Sequence, residues 1–91
     1  MMIKTISIRV SGKVQGVFYR QSTKEKALSL GINGEVKNMP DGSVLIVATA
    51  DEKLLEQLVL WCAQGPPRAT VTNIETKELQ LHHFNGFSII R

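Results

Sequence analysis

The chain has 91 residues, of which 43% are hydrophobic and 21% are charged, a balance typical of one globular domain and not of a disordered chain. Eleven Lys and Arg against eight Asp and Glu give a net charge of +3. This charge suits an anionic ligand, but many nucleic-acid-binding domains carry a more concentrated basic stripe. One cysteine cannot form an internal disulfide, no apolar run approaches the roughly 18 residues that span a bilayer, and no signal-peptide pattern opens the chain.

The spacing of apolar residues predicts five strands and two helices. In chain order they are a strand around 6–10, a helix over 18–30, strands over 34–38 and 43–49, a helix over 51–64, a strand over 69–79 and a short strand around 87–89. The strands are predicted from alternating or continuous apolar residues, and the helices from apolar stripes with a period near 3.6. Gly31 is expected to end the first helix, and the Met39–Gly42 segment is expected to form the turn of a hairpin.

The third strand and the second helix carry more specific patterns. The run Val44–Val47 is apolar at every position, which predicts a central strand buried on both faces. The helix that follows is expected to be capped either by Asp51 alone or by a capping box of Thr49 and Glu52. Its apolar stripe includes Trp61, which is therefore predicted to belong to the core.

The element order β-α-β-β-α-β plus one strand predicts an α+β fold of the ferredoxin-like split βαβ type, with two helices packed on one face of a mostly antiparallel sheet. In that fold the first and second strands are parallel with the third between them, so their carboxyl ends lie at the same edge. Four features should meet there: the Ser11–Val17 loop, Asn38, the start of the first helix and the Gly65–Pro67 turn. Because ligands bind where such loops converge, this edge is the predicted site.

The segment from Gly12 to Arg20 is the strongest candidate for a binding loop. Its two glycines allow the backbone to curl so that successive N–H groups point inward as an anion-binding nest. The helix N-terminus adds unpaired donors, and Arg20 in the first turn adds a permanent cation whose planar fork matches two phosphate oxygens. The alternative is an ordinary glycine turn with a solvent-exposed arginine. A Walker A loop and a dinucleotide-binding motif do not fit, because Val14 replaces the required Ser or Thr and the glycine spacing differs.

Two segments resemble the signatures of acylphosphatases. The run Val10–Arg20 reads VSGKVQGVFYR and is similar to the family pattern aliphatic-x-G-x-V-Q-G-V-x-[F/M]-R, with a departure at Tyr19. The run Gly34–Val44 reads GEVKNMPDGSV and is similar to the second pattern, G-aromatic-[A/V/C]-[K/R]-N-x-x-x-G-x-V followed by five residues and a glycine. It departs at Glu35 and Ala50. The segment after the second helix is also similar, so the resemblance spans nearly the whole chain.

The three departures carry expectations of their own. If Val36 faces the helices, strand parity sends Glu35 to the opposite face, where it changes surface packing more than chemistry. Ala50 would lose some stability if its backbone needed a positive φ. Tyr19 keeps an aromatic ring but adds a hydroxyl group that needs water or another hydrogen-bond partner.

The resemblance implies a hydrolase, independent of metal and cofactor, that cleaves a small-molecule acyl phosphate to a carboxylate and inorganic phosphate. It implies that backbone N–H groups of the loop bind the phosphoryl oxygens, the residues being Gln15, Gly16, Val17, Phe18, Tyr19 and Arg20. The Arg20 side chain would grip two oxygens, and Asn38 would orient the attacking water, whose proton passes to the phosphate. No strong acid is needed, because an acyl phosphate already has a good leaving group.

Several other side chains have a structural interpretation. Cys62 lies on the apolar stripe of the second helix, which favours burial over a role as nucleophile. His82 and His83 lack metal-ligand spacing and are expected to be solvated loop residues. Asn38 taken alone is typical of a local cap before a Pro-containing turn, and only its combination with the Arg20 loop favours a catalytic role.

Two other functions are open on the sequence alone, because this fold also binds RNA or metabolites without catalysis. An RNA-recognition domain would carry aromatic residues on its central strands, and the third strand has none. A phosphate-binding module without turnover would have the same loop, although an intact Asn38 favours the enzyme. We expect residues 1–91 to form one soluble, cytoplasmic, monomeric domain without a membrane or nucleic-acid partner.

Overall fold

A computed structural model describes residues 2–91. Its elements are β1 (Ile3–Lys13), α1 (Tyr19–Ser29), β2 (Asn33–Asn38), β3 (Val44–Asp51), α2 (Glu52–Gln64), β4 (Thr70–Leu79) and β5 (Phe87–Ile90). The strands form one sheet in the order β4-β1-β3-β2-β5, in which β2 and β5 pair in parallel and all other neighbours are antiparallel. The predicted ferredoxin-like fold is confirmed, with β3 between the parallel strands β1 and β2.

The core lies between the two helices and one face of the sheet. Val44, Ile46 and Ala48 of β3 alternate toward that face and are fully buried, as the period of two requires. Leu45 and Val47 point to the other face and are half-buried. The predicted central position of β3 is confirmed, but the prediction that both its faces are buried is wrong, because both helices pack on the same side.

Neither helix within residues 2–91 has the length and apolar composition needed to cross a bilayer.

The amino end of α2 is capped by Asp51, whose carboxylate accepts a hydrogen bond from the Lys53 backbone N–H at 3.0 Å. The alternative capping box is not formed, because the Thr49 hydroxyl is used elsewhere. It lies 2.6 Å from the Thr5 hydroxyl and donates to the His82 carbonyl oxygen, also at 2.6 Å. These bonds fix the segment between β4 and β5 where it crosses the open face of the sheet.

The carboxyl end of β1 is shaped by Gly12. The register of the β1–β4 ladder shifts between Ser11 and Gly12, and Gly12 has a φ of 124°. A side chain at this position would collide with the Thr70 carbonyl oxygen of β4. Only glycine combines this φ with such a close approach of two backbones, so the strand can turn here into the loop that follows.

Tyr19 connects the first turn of α1 to the end of α2. Its hydroxyl donates to the Cys62 carbonyl oxygen at 2.6 Å. In a continuing helix this carbonyl oxygen would accept a hydrogen bond from the N–H of the residue four positions later. That residue is Pro66, which has no N–H, so the phenol supplies the missing donor. Burial raises the pKa of Tyr19, and the nearby Cys62 raises it further, so the hydroxyl stays protonated as a donor. Trp61 packs against the ring at 5.7 Å between centroids and is half-buried, at the margin of the predicted core.

The variant Tyr19→Phe is expected to have a free energy of unfolding about 1–2 kcal/mol lower than the wild type, because the buried Cys62 carbonyl oxygen loses its hydrogen-bond donor. The ring and its packing are retained, so the loss reports the hydroxyl alone. Urea denaturation with unchanged m-value measures it. Lys24→Ala, at a partly exposed position of the same helix that forms none of the ion pairs within residues 2–91, is the control and should unfold as the wild type does. Equal stability of Tyr19→Phe and wild type would contradict this role.

Candidate active site

A cavity of about 430 Å³ opens at the end of the sheet where β1 and β2 finish. Its lining comes from the β1–α1 loop, the first turn of α1, the end of β2 and the chain around the end of β5: Val14, Gly16, Phe18, Tyr19, Arg20, Gln21, Asn38, Ile89 and Arg91. Two of these residues are arginines and none is acidic. The site is therefore positively charged and suits an anion.

The loop ahead of α1 has the backbone geometry of an anion nest. Gly16 has a φ of 75° and Phe18 a φ of 63°, whereas Val17 between them has a negative φ. Such alternation turns successive N–H groups toward the same side. Phe18 is the one residue other than glycine with a positive φ within residues 2–91, a strained conformation for an L-residue. The predicted helix start at Phe18 is accordingly wrong by one residue.

The start of α1 adds unpaired donors to this nest. The first hydrogen bond of the helix runs from the Ser22 N–H to the Phe18 carbonyl oxygen at 3.0 Å, so the N–H groups before Ser22 have no helical partner. Phe18 makes no side-chain cap, and the first turn contains no acidic residue. The positive end of the helix dipole is thus left available to a ligand.

Arg20 lies in this first turn, half-buried and in contact with the cavity. The three ion pairs found within residues 2–91 involve Lys4 and Arg9, so no carboxylate neutralises Arg20. A cation at a helix N-terminus is unfavourable unless an anion compensates it. The alternative of a freely solvated arginine does not account for its partial burial in the cavity wall.

Asn38 is the last residue of β2 and is half-buried at the cavity. Its side-chain oxygen is buried and accepts no hydrogen bond from residues 2–91. Buried polar atoms are nearly always paired, so this carbonyl has a partner to gain. The local cap considered for Asn38 is not formed by its side chain; in the turn that follows, the Asp41 carboxylate instead accepts from the Ser43 N–H at 3.0 Å.

Gln15 holds the loop against the β2–β3 turn. Its side-chain amide donates to the carbonyl oxygens of Met39 and Ser43, both at 2.9 Å. Gln15 and Val17 do not line the cavity, whereas Gly16, Phe18, Tyr19 and Arg20 do. The structure therefore brings four of the six loop residues together with Asn38 and places the Gln15 side chain behind them as a support.

The sequence did not identify Arg91 and Ile89 as cavity residues. They reach the site because β5 pairs with β2 in parallel, with Ile89 opposite Val36. A four-residue strand carries no signal that tells which strand it pairs with. The Gly65–Pro67 turn, by contrast, was expected at this edge, and it lies against the Tyr19 ring but lines a separate shallow depression.

Comparison with known proteins agrees with these features. A sequence model of acylphosphatases matches residues 6–89. The chain belongs to the acylphosphatase family. It is 41% identical to the acylphosphatase of Methylococcus capsulatus over 98% of both chains, and 49% identical to that of Marinobacter nauticus over 87% of this chain and 86% of the relative. The fold of an acylphosphatase from Coxiella burnetii superposes with a TM-score of 0.93 at 38% identity, covering 97% of this chain and 93% of that one.

Two of the three departures from the family signatures, Glu35 and Ala50, lie away from the cavity, whereas the third, Tyr19, lines it. Val36 is fully buried toward the helices, and Glu35 lies on the opposite face as predicted. Ala50 has a negative φ and packs in the core, so the strain considered for that position is absent. The Tyr19 hydroxyl finds its partner in the Cys62 carbonyl oxygen.

The reactive side chains outside the cavity have the surroundings expected for them. Cys62 is fully buried, and burial raises the pKa of its thiol to about 12, which keeps it from acting as a thiolate nucleophile. His82 and His83 are exposed. Within residues 2–91, no three His, Cys, Asp or Glu residues are grouped so that they could hold a metal ion.

Cys62→Ala is expected to leave kcat unchanged and to lower the free energy of unfolding by about 1 kcal/mol through lost core packing. The reason is that the thiol contacts the core and not the cavity. Steady-state kinetics alongside thermal unfolding separates the two effects. A loss of turnover in a variant that remains folded would indicate covalent chemistry at the sulfur and contradict the interpretation.

Proposed function

We propose that the chain hydrolyses the carboxyl-phosphate bond of acyl phosphates, giving a carboxylate and inorganic phosphate. The observation that carries the proposal is the meeting, in one cavity with no acidic side chain in its lining, of the nest at Gly16 and Phe18, the Arg20 side chain and the Asn38 carboxamide. The acylphosphatases named above support the reaction class.

The phosphoryl group would be held by the backbone and by Arg20. The N–H groups of the nest and of the first turn of α1 supply several donors at fixed positions, so little reorganisation is needed as charge develops. Arg20 adds a planar fork that binds two oxygens at once. In phosphoryl transfer the charge spreads over three equatorial oxygens, and donors fixed around them stabilise the transition state.

The attacking water would be oriented by Asn38. Its carboxamide lines the cavity and would hydrogen-bond the water, with a lone pair of the water directed toward phosphorus in line with the leaving oxygen. An amide is too weak a base to remove the proton. The proton therefore passes to a phosphoryl oxygen of the substrate, so that hydrolysis consumes one water and yields carboxylate and phosphate without an enzymic base.

The choice of substrate follows from the leaving group. A carboxylate leaves readily, whereas an alkoxide requires protonation by a general acid. The cavity lining contains no acidic residue, histidine or lysine that could donate a proton. We therefore expect acyl phosphates to react and alkyl phosphate monoesters to be inert, although both present the same phosphoryl group to the nest.

Release of phosphate from benzoyl phosphate by the purified chain tests the proposal, with EDTA present in one arm to remove metals. We expect hydrolysis well above the spontaneous rate, equal with and without EDTA, and no hydrolysis of glycerol phosphate. A rate equal to the spontaneous one would contradict the enzyme. Loss of activity in EDTA, restored by a divalent metal, would contradict the metal-free mechanism, and hydrolysis of glycerol phosphate would require an acid not assigned above.

A further inference from the structure

Arg91 lies in the cavity beside Asn38, although no signature residue points to it. In the parallel β2–β5 ladder Val36 pairs with Ile89 and Lys37 with Ile90. The next residues are Asn38, the last of β2, and Arg91, which follows β5. Residues two apart on a strand share a face, and Val36 and Ile89 pack into the core on the helix side. The chain thus carries Asn38 and Arg91 toward the helix side at the same end of the sheet, and both line the cavity.

A second guanidinium makes the charge of this cavity unusual. The ion pairs within residues 2–91 use Lys4 and Arg9, so neither the Arg20 nor the Arg91 guanidinium forms an ion pair with a carboxylate. Two positive groups lining one small cavity repel each other, and the repulsion is relieved when an anion lies between them. The arrangement is therefore favourable in the complex with an anion and unfavourable without it.

We propose that Arg91 binds the phosphoryl group from the sheet side and forms, with Arg20 on the helix side, a clamp of two guanidinium groups. The inference rests on the proposed acyl-phosphate chemistry. A fully ionised phosphoryl group carries nearly two negative charges, more than Arg20 alone offsets. One guanidinium fork covers two oxygens, so a second approaching from another direction reaches the remaining oxygen.

The geometry of in-line attack decides which part of the substrate Arg91 contacts. The water held by Asn38 and the leaving carboxylate lie on opposite sides of phosphorus. Arg91 is next to Asn38, so it is on the side of the water. The acyl portion points away from both residues, which leaves the phosphoryl oxygens as the anionic atoms within reach of Arg91. Its contribution is consequently the same for every acyl phosphate, whatever acyl group it carries.

Calorimetric titration with inorganic phosphate tests the proposal without requiring turnover. Arg91→Gln is expected to weaken phosphate binding about tenfold, as for loss of a hydrogen bond to a charged group. Arg91→Lys, which keeps the charge but not the planar guanidinium group, should bind phosphate about threefold more weakly than the wild type. Arg68→Gln is the matched control for one lost positive charge, because Arg68 is exposed near the same end of the sheet but outside the cavity lining. It should bind as the wild type does.

Parallel kinetics with benzoyl phosphate and its para-carboxylate derivative identifies the contact. Arg91→Gln should raise KM for the two substrates by the same factor. Equal phosphate binding by Arg91→Gln and wild type would overturn the clamp while leaving hydrolysis by the wild type intact. A KM effect confined to the carboxylate derivative would also overturn it, since Arg91 would then bind the acyl portion. Failure of the wild type to hydrolyse either substrate would instead contradict the proposed function, and the titration would still decide the role of Arg91.

Discussion

Arg20→Ala is expected to lower kcat/KM for benzoyl phosphate roughly 10³-fold, about 4 kcal/mol of transition-state stabilisation. The guanidinium lies half-buried in the cavity wall without a carboxylate partner among residues 2–91, so its charge is available to an anionic ligand. Because it binds phosphoryl oxygens in the ground state and more strongly in the transition state, KM should rise and kcat should fall together. Initial rates over a range of substrate concentrations, with phosphate affinity measured by titration, provide the test.

Two further variants show whether the activity lost in Arg20→Ala depends on the planar guanidinium group or only on its positive charge. Arg68→Ala removes an exposed cation outside the cavity lining and should retain full activity. Arg20→Lys keeps a point charge in the same helical turn and should fall between Ala and wild type, because an ammonium cannot bind two oxygens in one plane. Phosphate affinity that is unchanged in a folded Arg20→Ala protein would contradict the assigned role.

The loop that presents Arg20 is fixed on both sides. On one side the Gln15 amide donates to the carbonyl oxygens of Met39 and Ser43 in the turn after β2, which ties the nest to the strand that carries Asn38. On the other side the Tyr19 hydroxyl donates to the carbonyl at the end of α2. The strained residue Phe18 lies between these two anchors. The protein thus holds the nest in shape before a ligand binds, which is what stabilisation by preorganised donors requires.

The order of the elements was predictable because it depends on local periodicity. The alternating residues of β1 and the apolar stripe of α2 follow from the geometry of one strand and one helix. The parallel direction of β1 and β2, which lie on either side of β3, then follows from the right-handed crossover. The burial of Leu45 and Val47 was not predictable in the same way, because it depends on what lies on the far side of the sheet. An apolar run indicates a central strand but does not show how many faces are covered.

Residues lining the cavity could be predicted where they belong to a sequence motif, and were missed where only the topology brings them there. Arg20, Gly16 and Asn38 belong to contiguous patterns whose strands end at one edge, so their convergence could be derived. Arg91 follows a four-residue strand with no motif, and its place beside Asn38 depends on the parallel pairing of β5 with β2. The positive φ of Phe18 could not be predicted from the sequence either, because phenylalanine normally avoids that conformation.

Asn38→Ala is expected to lower kcat about 10²-fold while the affinity for inorganic phosphate stays within about twofold of the wild type, because the carboxamide contacts the water and not the phosphate. The same change should leave the free energy of unfolding unchanged or raise it by up to about 1 kcal/mol. The buried side-chain oxygen accepts no hydrogen bond in the described chain, so its removal breaks none and relieves an unpaired polar group. Turnover, phosphate titration and urea denaturation on one preparation measure all three quantities.

Asn33→Ala is the matched control, since Asn33 begins the same strand at its opposite end and is exposed. It should leave kcat and phosphate affinity unchanged. Loss of phosphate binding by Asn38→Ala with kcat retained would reverse the roles given to Asn38 and Arg20. A fall in kcat accompanied by a large loss of stability would mean that the carboxamide supports the strand end and not the water. A selective fall in kcat in an equally stable or more stable protein is the result expected for a residue that orients the nucleophile, because in the proposed mechanism the carboxamide contacts the water and not the phosphate.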